Sequence, residues 1–89
     1  MCLGIPGQIV DTVDAEQYLA KVDVSGVRRT ISVRLLADQG LEEGHWVLVH
    51  VGFAMARIDE EEAITTLEQI KKLEDEYESE MEAFISSSL

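Results

Sequence analysis

Over roughly the first two thirds of the chain, apolar and polar positions alternate in short runs; beyond that they recur every three or four residues. Ala20, Val22 and Val24 alternate with Lys21 and Asp23, and Ile31, Val33 and Leu35 alternate with Ser32 and Arg34. Both runs have the period of a half-buried strand, and Ser25-Gly26 between them reads as a turn or bulge. A weaker strand over residues 8–13 turns through residues 14–17 into the first of these. After a loop ending at Gly44, residues 45–51 form a strong strand, with Trp46, Leu48 and His50 on one face and Val47, Val49 and Val51 on the other. Trp46 is expected in the core, and residues 54–58 add a short fifth strand. Short strands this closely spaced predict a small antiparallel barrel, because closure removes the edges an open sheet would expose.

Helix chemistry starts at residues 58–63, IDEEEA. Asp59 can cap, Glu62 stands at the third helical position, and the intervening acids favour a helix N-terminus. Ala63, Leu67, Ile70, Tyr77, Met81 and Phe84 then follow one helical stripe with Leu73 beside it. Unbroken to Phe84, such a helix would be ~40 Å long at 1.5 Å per residue, longer than a small barrel is wide. Its first half is expected to pack on the barrel. The Glu-rich distal half, ending SSSL, is expected to project, bend or fray. The glycines and the single proline all precede this segment, so strand-and-turn chemistry and helix chemistry occupy separate parts of one domain.

Composition sharpens the division. The 89 residues carry 7 basic and 18 acidic side chains, for a net charge of −11. Residues 1–58 hold 5 basic and 7 acidic groups, whereas residues 59–89 hold 2 and 11. A nearly neutral body thus precedes an acidic segment. Nucleic acid is not an expected partner, since phosphate binding needs a positive footprint. No apolar run approaches the ~20 residues of a membrane helix, and no secretory signal pattern opens the chain. A lone cysteine forms no internal disulfide, which suits a reducing cytoplasm.

That cysteine is Cys2, in the opening MCLGIPGQIV. If Met1 is removed, Cys2 carries both a thiol and a free α-amine, and the cationic amine favours the thiolate, a soft and sterically open ligand. Pro6 restricts Ile5 to extended conformations, and Pro6-Gly7 fits the centre of a type II turn that would stiffen the anchor. The bland reading is an accident of an exposed terminus. His50 likewise reads either as a hydrogen-bonded core histidine or as a ligand. The apolar strip at residues 51–56 is either packed against the helix or, if exposed, a partner surface. One Cys and two His do not complete a structural zinc site, and no spacing diagnostic of hydrolytic catalysis or phosphate binding is present.

Taken together, MCLGIPGQI and residues 44–63, GHWVLVHVGFAMARIDEEEA, resemble the HypC/HupF/HybG family of [NiFe]-hydrogenase maturation chaperones, in order over residues 1 to about 75. The resemblance implies a mainly β fold, a small OB-like antiparallel barrel over residues 1–58 with the N-terminal Cys motif, followed by an acidic C-terminal α-helix and tail over residues 59–89, one domain overall. It implies a non-enzymatic cytoplasmic scaffold that binds a HypD-type maturation protein and then the precursor of the hydrogenase large subunit. The Fe(CN)2CO group would be carried transiently, with no stable cofactor in the isolated protein. By resemblance, Cys2 is the thiol that holds iron and His50 a second iron contact. Cys2, Leu3, Gly4, Ile5, Pro6 and Gly7 form one expected partner-binding segment, and Val51, Gly52, Phe53, Ala54 and Met55 the other. Some relatives carry a second cysteine where this chain has Ser25.

Two other classes compete: a metal-free interaction adaptor with an OB-like fold, and an OB-type binder of single-stranded nucleic acid, which the acidic balance disfavours.

Overall fold

The computed structural model describes residues 4–86. Five strands, β1 (Ile5–Asp14), β2 (Leu19–Val24), β3 (Val27–Ser32), β4 (Trp46–His50) and β5 (Phe53–Ile58), are followed by two helices, α1 (Glu60–Lys72) and α2 (Glu74–Ser86). The strands close into a barrel in the order β1-β2-β3-β5-β4, with β4 pairing back onto β1. This is the expected mainly β architecture, an OB-like barrel with a helical C-terminal part. Four junctions are antiparallel. The fifth is a short parallel contact in which Ser32 faces Phe53 and the Ser32 N–H donates to the Gly52 carbonyl at 3.0 Å.

The alternation seen in the sequence separates two faces on each strand, and closure of the barrel selects the one that enters it. Ala20, Val22 and Val24 of β2, Ile31 of β3, Val47 and Val49 of β4 and Ala54 of β5 are buried together with Ile5 and Ile9 of β1. Trp46, Leu48 and His50 occupy the outer face of β4, so Trp46 is half-buried outside the barrel rather than in its core. The narrow interior takes the two valines. Ser25-Gly26 forms the tight β2–β3 turn with positive φ at both residues, as suits a two-residue hairpin, and Asp23 Oδ1 accepts from Gly26 N at 3.0 Å.

Two further local expectations are corrected. Pro6-Gly7 is not a turn; both residues lie inside β1. Pro6 faces Leu48 on β4, whereas the β1–β2 register begins only at Gln8 opposite Asp23. Pro6 therefore has a strand neighbour on one side alone, where a missing N–H is tolerated. Gly7 is required by packing: a Cβ there would lie 2.5 Å from Val22 Cγ1 and 2.9 Å from Val24 Cγ2.

The strand predicted to run through Leu35 stops at Ser32, and a 3-10 turn spans Arg34–Leu36. Its bonds from Leu36 N to Val33 O and from Ala37 N to Arg34 O shift the burial by one position, so Leu36 enters the core and Leu35 is exposed.

The single long helix bends into two at Leu73, whose φ of −105° and ψ of 77° leave the helical region. The Leu73 N–H donates to Ile70 O and its carbonyl accepts from Tyr77 N, so one residue ends α1 and begins α2. Neither glycine nor proline causes the break. A straight helix would carry Phe84 ~16 Å beyond Leu73 and away from the barrel. The bend instead returns Phe84 to the core at 1% exposure. Burying such a side chain contributes about 1.5–3 kcal/mol, more than the roughly 0.5–1.5 kcal/mol net of a helical hydrogen bond lost to water. The distal half thus bends, and the described chain is 37 Å in its longest dimension.

Candidate functional site

The pole of the barrel where β1 begins and β4 ends gathers most of the candidate residues. Ile5, Pro6 and Gly7 face Val49, Leu48 and Val47 in turn, which places Gly4 beside the end of β4. Gly4 has φ +109°, and a Cβ there would meet the Val49 carbonyl oxygen at 2.6 Å. Only glycine combines that backbone with that approach. The next residue after Val49 is His50, so the two named motifs meet at this pole. Cys2 and Leu3 lie outside the described residues.

Burial separates framework from surface. Gly4, Ile5, Pro6, Gly7, Gly52 and Ala54 are all buried, so in this conformation they shape the pole and offer no side-chain surface. Val51, Phe53 and Met55 are 52%, 46% and 48% exposed. They surround the tight β4–β5 turn, where His50 faces Phe53 across Val51 and Gly52. The strip over residues 51–56 is therefore not covered by the helices. Leu35, 56% exposed on the 3-10 turn packed against β5, adds an apolar side chain that the strand reading had turned inward.

Val51 adopts φ +49°. A β-branched residue in the left-handed region costs roughly 1–3 kcal/mol, and the exposed side chain recovers little of it by burial. Backbone strain and exposed apolar surface thus coincide at the hairpin tip next to His50.

His50 is neither a core residue nor isolated. Its side chain is 41% exposed, and Nδ1 lies 3.2 Å from Oε1 of Glu80, which is only 4% exposed. Glu80 comes from α2, on the face shared with Tyr77, Met81 and Phe84. The sequence reading counted it among the acidic charges of the tail and missed it. Its spacing of three from Tyr77 and four from Phe84 was the available signal, since those offsets place a residue on one helical face.

His45 has a structural role. Its Nδ1 accepts from Glu42 N at 3.0 Å, and Arg57 Nη2 stands 3.3 Å from Nε2. A neutral imidazole accepting at Nδ1 carries its hydrogen on Nε2, so the arginine contact is not a second hydrogen bond in that tautomer. A cleft of ≈ 210 Å³ is lined by Ile9, Tyr18, Leu36 and Leu41. Among the described residues no group of three or more His, Cys, Asp or Glu is arranged to hold a metal ion. Among the same residues, no helix is long and apolar enough to cross a membrane.

A family model described as HupF/HypC matches residues 1–70. The hydrogenase maturation factor HypC of Rhodobacter capsulatus is 56% identical over 75 residues, covering 82% of this chain and 78% of that protein. The hydrogenase maturation factor HybG of Escherichia coli is 41% identical over 76 residues, 83% of this chain and 93% of that protein. The Frd operon uncharacterized protein C of Proteus vulgaris is 42% identical over 87 residues, 96% of this chain and 90% of that protein.

Proposed function

The chain belongs to the HupF/HypC family, and from that premise we propose that it is a hydrogenase maturation chaperone that holds an Fe(CN)2CO group through Cys2 and His50 while docked on its partners. The partners are a HypD-type maturation protein during assembly and the hydrogenase large-subunit precursor at delivery, in the cytoplasm. The protein acts as a carrier, without catalysis of its own and without a resident cofactor.

One observation carries the reading: an exposed histidine, a strained apolar hairpin and the point of entry of the N-terminal segment share one pole of a rigid barrel. Cys2 is two residues from Gly4, and two residues span at most about 7 Å. A thiolate and an imidazole are a soft and an intermediate donor, suited to low-spin iron bearing cyanide and carbon monoxide. Two protein donors leave the remaining positions to the diatomic ligands and to a partner. Such an incomplete grip permits hand-over, where a closed four-ligand cage would retain the cargo. The apolar side chains of Val51, Phe53 and Met55 supply a docking surface beside the cargo.

Cys2→Ala tests this. The variant is expected to keep the barrel's circular dichroism and denaturation midpoint, to lose partner association in anaerobic pull-downs, and to abolish hydrogenase maturation in cells. The cyanide and CO infrared bands of the purified complex are expected to vanish with it. Normal maturation by Cys2→Ala would refute the assignment, and partner binding without those bands in the wild type would favour a metal-free adaptor.

A further inference from the structure

The contact between His50 and Glu80 has a direction. A carboxylate oxygen accepts hydrogen bonds, so the ring nitrogen facing it at 3.2 Å must carry the hydrogen. In a neutral imidazole only one nitrogen does. With Nδ1–H committed to Glu80, the lone pair belongs to Nε2, on the far side of the ring. A carboxylate at 4% exposure is costly to bury unless it is hydrogen-bonded, and the helix that carries it has anchors besides the histidine. Phe84, one helical turn along α2, is sealed in the barrel core at 1% exposure. Arg29 Nε donates to the Ile85 carbonyl at 3.2 Å and ties the end of α2 to β3. The carboxylate is thus delivered to the end of β4 by a helix fastened elsewhere.

We propose that Glu80 is a positioning residue: it fixes the tautomer and orientation of His50 so that Nε2 is presented, lone pair outward, to the cargo and partner. The inference rests on the function proposed above for the meaning of that presentation, but not for the tautomer itself. A carboxylate behind a ligating histidine both orients the ring and raises its basicity, and losing such a partner typically costs 10- to 100-fold in metal affinity. Glu80 lies beyond residues 1–70, the span of the family match. The site's second layer therefore comes from the part of this chain that the family model does not cover.

The test uses the full chain with nitrogen-15 histidine spectra recorded where the ring is neutral. Wild type is expected to show His50 mainly as the Nδ1–H tautomer. Glu80→Gln, whose amide oxygen can still accept, is expected to keep it. Glu80→Ala is expected to shift it mainly to the Nε2–H form, with the α2 fold maintained by Phe84 and Arg29. In cells lacking their own copy, Glu80→Ala is expected to lower maturation about tenfold, Glu80→Gln to stay near wild type, and Cys2→Ala to abolish it. A wild-type Nε2–H tautomer, or one unchanged in Glu80→Ala, overturns the positioning role whatever Cys2→Ala does. Normal maturation in Cys2→Ala overturns the carrier reading and leaves the tautomer result standing. Equal loss of maturation in Glu80→Gln and Glu80→Ala also overturns the positioning role.

Discussion

α1 and α2 are each 13 residues long, and they are held by opposite means. α1 carries its own terminal chemistry: Asp59 accepts from Glu62 N at 2.7 Å, three acids fill its first turn, and Lys71 and Lys72 close its last. Against the barrel it fully buries only Ala63. α2 has no basic residue in its last turn and borrows Arg29 from β3 to cap it. It buries Phe84 and Glu80 instead. Lys71 Nζ stands 5.8 Å over the Tyr77 ring, joining the two across the bend. α1 is specified by its own termini and lays Ala63 and Leu67 on the barrel, whereas α2, specified by tertiary contacts, delivers a polar group to a chosen place.

The contrast can be broken most forcefully at Phe84. Phe84→Ala is expected to cost about 3–5 kcal/mol in urea denaturation, the range for emptying an aromatic site in a packed core. Hydrogen exchange in α2 should rise at the same time, and a loss below about 1 kcal/mol would mean that α2 is not pinned as described. Asp59→Ala sharpens the other side. Removal of that cap should cost about 1 kcal/mol, with faster exchange confined to the first turn of α1 and no change in α2. Smallest of all, Ile64→Ser, at a site 52% exposed, should move the denaturation midpoint by no more than about 0.5 kcal/mol equivalent. A larger drop would show that α1 leans on the barrel more than its burial indicates.

The same division explains what could be foreseen from the sequence. The start of α1 was readable because Asp59 and Glu62 act within one turn, and β2, β3 and β4 were readable because alternation is a local pattern. Which face of β4 turned inward was not, since Trp46 is the larger hydrophobe and only the width of a closed five-stranded barrel favours Val47 and Val49. Pro6-Gly7 misled for a related reason. The pair favours a turn in isolation, and its strand conformation depends on Leu48 facing Pro6 and on Val22 and Val24 filling the space above Gly7. The bend at Leu73 has no breaker residue, because its cause is the burial of Phe84. Family resemblance named Gly4, His50 and the β4–β5 segment as candidates, whereas their meeting at one pole, and Glu80 behind His50, required the fold.

Val51 sits at the hairpin tip in a backbone region where asparagine or glycine would rest at ease. An engineer hardening this molecule against heat would replace it early, relieving the turn and removing a greasy knob in one stroke. On the docking role proposed above, robustness and stickiness pull against each other at a single codon, and a sturdier version of the protein would be a poorer companion.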